Sequence, residues 1–132
     1  MAANPTRTGV PEVDALSLNE APVLDDYVRA VSAYIRGAHT LSRGASKSAQ
    51  IALSAGLARC MKTDLERRLP RASIHAGELT VAGALRPARA DVSEAHHLDG
   101  LRIAAEIKPV NLAVGRAVWN RFGDIRAFAV NV

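Results

Sequence analysis

Cysteine occurs once in this 132-residue chain, at Cys60. A single thiol rules out an internal disulfide and suits a reducing compartment, so a cytoplasmic location is expected. Its spacing to the histidines suggests no zinc site, which leaves the role of a small apolar filler within a helix. No uninterrupted apolar run approaches the roughly 20 residues needed to span a bilayer. The opening stretch "MAANPTRTGVPEVDALSLNE" has no basic region followed by an apolar core, so no secretory signal is expected. Ser46, Ser48 and Ser54 lie in no nucleophile-elbow context, and no Gly-rich phosphate loop precedes a helix. Serine-triad hydrolysis and NTPase chemistry are therefore unsupported. Internal repeats and low-complexity tracts are lacking as well.

What is present suits a folded domain. Hydrophobic residues make up 48% and charged residues 23%, an ordinary balance that argues against wholesale disorder. The length allows one domain with a modest core. Charge is divided unevenly along the chain. Residues 1–26 hold Arg7 against Glu12, Asp14, Glu20, Asp25 and Asp26, a net of −4, so a total of +4 leaves +8 on the remainder. Arginine predominates there, and guanidinium groups suit bidentate contact with phosphate. Such a field attracts nucleic acid, and it also fits a merely solvated surface.

Periodicity divides the chain into elements. Residues 1–18 mix Pro, Gly, Thr and Asn without a period and read as a loose arm; residues 19–132 read as a single domain. Val23, Leu24, Tyr27, Val28, Val31, Tyr34 and Ile35 recur at helical spacing, predicting a helix over 19–36 that stops near Gly37. A polar link, "TLSRGASKS", leads to a longer helix with a stripe of Ile51, Leu53, Leu57, Met61, Leu65 and Leu69, ended by Pro70. "ASIHAGELTVAGALRP" predicts a first strand with a kink or bulge at its glycines. "RADVSEAHHL" and "LRIAAEIK" flank Asp99-Gly100, a strong signal for a two-residue hairpin turn. Helical spacing returns in "NLAVGRAVWNRF", with Asn111 as N-cap, Gly123 as stop, and Trp119 and Phe122 at core spacing. "IRAFAVNV" is rich in β-formers and predicts a closing strand. The expected fold class is α/β: a small mixed sheet flanked by helices, with the last strand returning parallel through a crossover.

Taken literally, the Asp99-Gly100 turn sets a register. Leu98 faces Leu101, His97 faces Arg102, Ser93 faces Glu106 and Asp91 faces Lys108. Strand alternation then gives Leu101, Ile103, Ala105 and Ile107 one wholly apolar face. Asp91, Glu106 and Lys108 share the other, with Glu106 diagonal to Asp91. Two nearby carboxylates repel, and a hard cation such as Mg²⁺ relieves the repulsion while keeping sites for water and a phosphate. A neighbouring ammonium can orient an attacking water. The chemistry this pattern suits is phosphodiester hydrolysis.

The stretch "ADVSEAHHLDGLRIAAEIK" resembles the signature of the PD-(D/E)XK nuclease superfamily, to which many type II restriction endonucleases belong. Asp91 matches the first acidic position, and Glu106 and Lys108 match the Glu-x-Lys. Ala90 stands where the signature often has proline. The resemblance implies a restriction-endonuclease-like core, αβββαβ, over about residues 46–132, with the helix at 19–36 as an addition. It also implies Mg²⁺-dependent cleavage of double-stranded DNA to 5′-phosphate and 3′-hydroxyl ends, with the Ile107 carbonyl as a further metal ligand. Cutting both strands calls for two active sites, so a homodimer is expected, and the first helix is a candidate for its interface.

Other residues carry weaker signals. His96 and His97 are adjacent on a strand, point to opposite faces and cannot chelate one ion together. Glu66 and Glu78 are candidates for extending a metal site, though Glu66 also reads as an ordinary charged helix end. Arg116, Asn120 and Arg121 on the fourth-quarter helix are candidate DNA contacts, since arginine and asparagine read guanine and adenine edges; a solvated face explains them equally. The rival to the nuclease is a non-catalytic DNA-binding or assembly subunit that keeps the fold.

Overall fold

A computed structural model describes residues 22–96, 100–109 and 114–131. The expected arm at 1–18, the stretch 97–99 and the expected cap at Asn111 lie outside the described residues. The elements are α1 (Leu24–Gly37), a 3₁₀ turn (Ala38–Thr40), α2 (Arg43–Arg68), β1 (His75–Val81), β2 (Ala88–His96), β3 (Gly100–Ala105) and α3 (Val114–Asn131). They fall into two compact units, Met1–Cys60 and Met61–Val132.

In the first unit, α1 carries Asp25 and Asp26 in its opening turn and Arg36 in its last, charges that suit the helix dipole. Its buried residues Ala30, Ala33 and Tyr34 lie three and four apart, on one face. They form a core with Ala49 and Leu53 of α2, and Tyr27, Val31, Ala38 and Leu41 pack around it. The Tyr34 hydroxyl, fully buried, is satisfied by Ser46 Oγ at 2.8 Å and by Gln50 Nε2, which donates at 2.8 Å. Burial of Tyr27 lifts its phenol above the ordinary range, and the neighbouring Cys60 adds to the shift.

α2 starts earlier than its apolar stripe predicts. Ser42 Oγ accepts the Ala45 N–H at 3.2 Å, an N-cap that brings most of the expected polar link into the helix. Only part of the stripe is covered: Leu53 is buried while Ile51 and Leu69 are exposed. The helix stops at Arg68, two residues before Pro70.

The second unit holds a three-stranded sheet in the order β1-β2-β3, antiparallel at both pairings. The expected bulge in β1 is present: the register shifts between Ala76 and Leu79, and Gly77 has φ +128°, a conformation that side chains rarely adopt. Glu66 Oε1 accepts the Ile74 N–H at 3.3 Å and so ties the end of α2 to the start of the sheet.

Two expectations fail together at the C-terminal end. "IRAFAVNV" is not a strand, because α3 continues through Gly123 to Asn131. The described sheet therefore has no parallel member and is not mixed, and the αβββαβ order ends as αβββα. Val118, Phe122 and Ile125 already recur at helical spacing, so extending a formed helix through one glycine costs only about 1 kcal/mol. Asn131 also gains from this end-point. Its Oδ1 accepts N–H bonds from Leu85 at 3.1 Å and Arg86 at 3.0 Å, and its Nδ2 donates to the Arg86 carbonyl at 3.0 Å. This clamp closes on Gly83, where an added Cβ would lie 2.3 Å from the Arg86 oxygen. Trp119 and Phe122, expected in the core, are 76% and 63% exposed.

Candidate active site

The hairpin of β2 and β3 forms, but not through a two-residue turn. Gly100 belongs to β3 and pairs with His96, whereas the Asp99-Gly100 turn would have paired His96 with Ile103. That is a displacement of three residues. Arg102 then stands as an extra residue between the pairs Ala95↔Leu101 and Glu94↔Ile103, a β-bulge that restores one. Past the bulge Ser93 faces Ala104 rather than Glu106, a net displacement of two. An even displacement leaves every side chain on its expected face. Asp91 and Glu106 thus keep a common face, although the expected pairs Asp91 with Lys108 and Ser93 with Glu106 do not form. The ladder ends at Val92↔Ala105, one position short of Asp91 and Glu106.

Local contacts agree with that placement. Asp91, half-buried on the central strand, accepts the Ile107 N–H at Oδ2, 2.6 Å away. Glu106 Oε1 pairs with Lys108 Nζ, as residues two apart on an extended chain can. Both side chains are mostly covered, with 16% of Glu106 and 24% of Lys108 exposed. One oxygen of each carboxylate, Asp91 Oδ1 and Glu106 Oε2, has no partner among the described residues. Carboxylate oxygens are the hard donors that Mg²⁺ takes, one or two of them with the remaining positions left to water and phosphate. The Ile107 amide is committed to Asp91, which keeps its backbone beside the carboxylates. No cluster of three or more His, Cys, Asp or Glu suited to a metal occurs among the described residues.

The other candidate residues lie elsewhere. Glu78 pairs with Arg89 across β1 and β2, and Glu66 serves the Ile74 amide, so both have structural partners. Asn120 and Arg121 are exposed on α3, with Arg121 Nη1 3.5 Å from Asp124 Oδ2. The side chain of Arg116 lies outside the described residues, as does His97.

A second charged pair was hidden by the expected register. Glu94, 5% exposed, receives Arg102 Nε at Oε2 (3.1 Å) and Arg102 Nη2 at Oε1 (2.5 Å). Its face, shared with Val92 and Ile103, is therefore not wholly apolar. The sequence does hold a signal: Glu94 falls in phase with Ala90 and Val92, and a carboxylate in a buried phase needs a cation. Beside it an open cleft of about 790 Å³ lies between the Arg68–Ser73 segment and the hairpin. On the opposite face of β2, Ser93 is 1% exposed and its Oγ has no hydrogen-bond partner among the described residues.

Among the described residues no helix is long and apolar enough to cross a membrane. No family model, no curated protein and no solved structure matches the chain.

Proposed function

We propose that the chain is a Mg²⁺-dependent deoxyribonuclease of the PD-(D/E)XK kind, a type II restriction endonuclease or a fragment of one. The observation that carries this reading is the meeting of Asp91, the Ile107 amide and the Glu106–Lys108 pair at one end of a hairpin. Asp91 and Glu106 would hold the ion, with the Ile107 carbonyl beside them. Bound there, Mg²⁺ would offset charge growing on the phosphoryl oxygens and make water more acidic. The protein's own part is positional and electrostatic. The Ile107 N–H fixes Asp91 by one oxygen and leaves the other directed by that anchor. Lys108 offsets the repulsion of the paired carboxylates while no cation is bound. With DNA in place, its ammonium would orient the attacking water and balance the charge of the five-coordinate phosphorus, leaving 5′-phosphate and 3′-hydroxyl ends. The basic remainder of the chain supplies attraction for the duplex, and a second copy would supply the second cut.

A non-catalytic DNA-binding or assembly subunit is the second reading. One observation favours it: the residues expected to form the closing strand of the core are helical. Supercoiled plasmid incubated with Mg²⁺, with EDTA, and with the Lys108→Ala variant separates the two. Nicking that needs Mg²⁺ and is lost in the variant supports the nuclease. Salt-sensitive DNA binding with no nicking under any condition supports the subunit and removes the enzyme reading.

A further inference from the structure

The cleft beside Glu94 is lined by both arginines and apolar residues. Its walls include Arg68, Arg71 and Arg102 together with Leu69, Pro70 and Ile103. At about 790 Å³ it falls within the usual range of small-ligand sites, roughly 300–1,000 Å³. Three guanidinium groups line it against one carboxylate, Glu94, and that carboxylate is already engaged.

Two of the arginines are each held from one edge. Glu94 takes Nε and Nη2 of Arg102, which leaves Nη1 without a partner among the described residues. Asp64 takes Nε of Arg68 at 2.8 Å, leaving both terminal nitrogens of that guanidinium in the same condition. Each of these two side chains is fixed from one edge while its remaining donors stay available. Orientation before binding lowers the entropy lost when a ligand arrives. Arg71 is exposed and makes no hydrogen bond or ion pair among the described residues. Donors in this planar, forked arrangement match phosphate oxygens. The neighbouring Leu69, Pro70 and Ile103 offer an apolar wall suited to the face of a base.

We propose that this cleft binds a nucleotide through its phosphate, either as a free nucleotide or as one unit of a single strand. Glu94 acts as a positioning residue, holding Arg102 by one edge. The site is separate from the carboxylates, because Glu94 and Asp91 are an odd number of residues apart on β2 and alternate to opposite faces. It does not rest on the hydrolytic reading.

The test measures binding in EDTA, so that no cleavage intervenes. A short fluorescein-labelled single-stranded oligonucleotide reports by anisotropy, with adenosine monophosphate and inorganic phosphate as competitors. Arg71→Ala is the main variant, since Arg71 supports no other side chain among the described residues. Arg126→Ala, which removes an exposed charge from α3, is the control. The expected result is competition by adenosine monophosphate well below the concentration at which phosphate competes, with affinity about tenfold weaker in Arg71→Ala. Arg126→Ala leaves it unchanged. Oligonucleotide binding that depends on Arg71 but resists the free nucleotide identifies a strand as the source and also supports the site. Equal weakening by both variants reveals a diffuse positive field and overturns the proposal. Equal competition by phosphate and nucleotide removes the nucleotide assignment. Loss of plasmid nicking has no bearing on these outcomes, so the two proposals fail separately.

Discussion

Replacing Arg102 with alanine strips the cation from a carboxylate that the fold has taken out of water. Glu94 is 5% exposed and is held by two N–H donors of one guanidinium. At a charge separation of about 4 Å and an effective dielectric constant of about 20, the Coulomb attraction is about 4 kcal/mol. Breaking a fully buried pair by removing one partner costs about 3–5 kcal/mol, because the remaining charge stays uncompensated. The Arg102 side chain is 46% exposed, so water entering its place recovers part of this. A loss of about 2–3 kcal/mol is therefore expected for Arg102→Ala. Urea unfolding followed by circular dichroism measures it: with a slope of about 1–2 kcal/mol per molar, the midpoint falls by about 1–3 M. The double variant Glu94→Met, Arg102→Met replaces both partners with apolar side chains and should regain most of the loss, since neither ion is left stranded. An unchanged midpoint in Arg102→Ala, or a double variant no more stable than the single, refutes the role given to the pair.

Two further outcomes follow from the structure. Burial pushes the Cys60 thiol above its ordinary value of 9.0, with Arg59 opposing and Asp26 reinforcing, and the thiol lies 3.4 Å from the Pro22 carbonyl. A raised value in the folded chain means that folding favours the protonated thiol. That contribution is whole below the ordinary thiol value and is lost as pH rises through the folded one. Iodoacetamide should therefore label Cys60 more slowly in the native chain than in urea at mildly alkaline pH, and equal rates would contradict the burial. Asn131→Ala removes three hydrogen bonds from the Leu85–Arg86 turn, and at about 0.5–1.5 kcal/mol each, eased by solvent at that exposed loop, about 1–3 kcal/mol of stability should go with them. Amide exchange at Leu85 and Arg86 reads the effect directly, and rates equal to those of the parent chain would show that the clamp carries nothing.

How far the fold could be read from the sequence depends on which contacts decide each element. The two N-terminal helices and the β1 bulge were legible because local signals govern them: spacing of apolar residues, a glycine or proline at a helix end, and a glycine that the bulged conformation needs. Ser42 was passed over as a cap because the apolar stripe starts farther along, yet a serine three residues before a helical amide is itself a local signal. The last element was misread for a different reason. "IRAFAVNV" has β-forming residues but weak alternation, and its choice is set by continuation of a helix and by Asn131 reaching a loop 45 residues earlier in the chain. No window of sequence contains both partners of that contact. Trp119 and Phe122 illustrate the same limit, since helical spacing marks a face as apolar without saying what covers it.

The expected strand faces outlast a wrong turn because they depend on parity alone. Two errors entered the expected register: a link displaced by three residues and an unforeseen bulge at Arg102. Either one alone would have carried Glu106 and Lys108 to the face of Val92 and Glu94, away from Asp91. Together they amount to two, and the alternation is restored. The bulge is thus coupled to both charged sets. It delivers the Arg102 guanidinium to Glu94, supplying the cation that a buried carboxylate requires, and it returns the rest of β3 to the phase in which the Ile107 amide reaches Asp91. A straight β3 with the same link would leave Glu94 without that donor and would move the register at Ser93 by one residue. The residue that completes the ion pair on one face of the hairpin is therefore also the one that returns β3 to the register in which Ser93 faces Ala104.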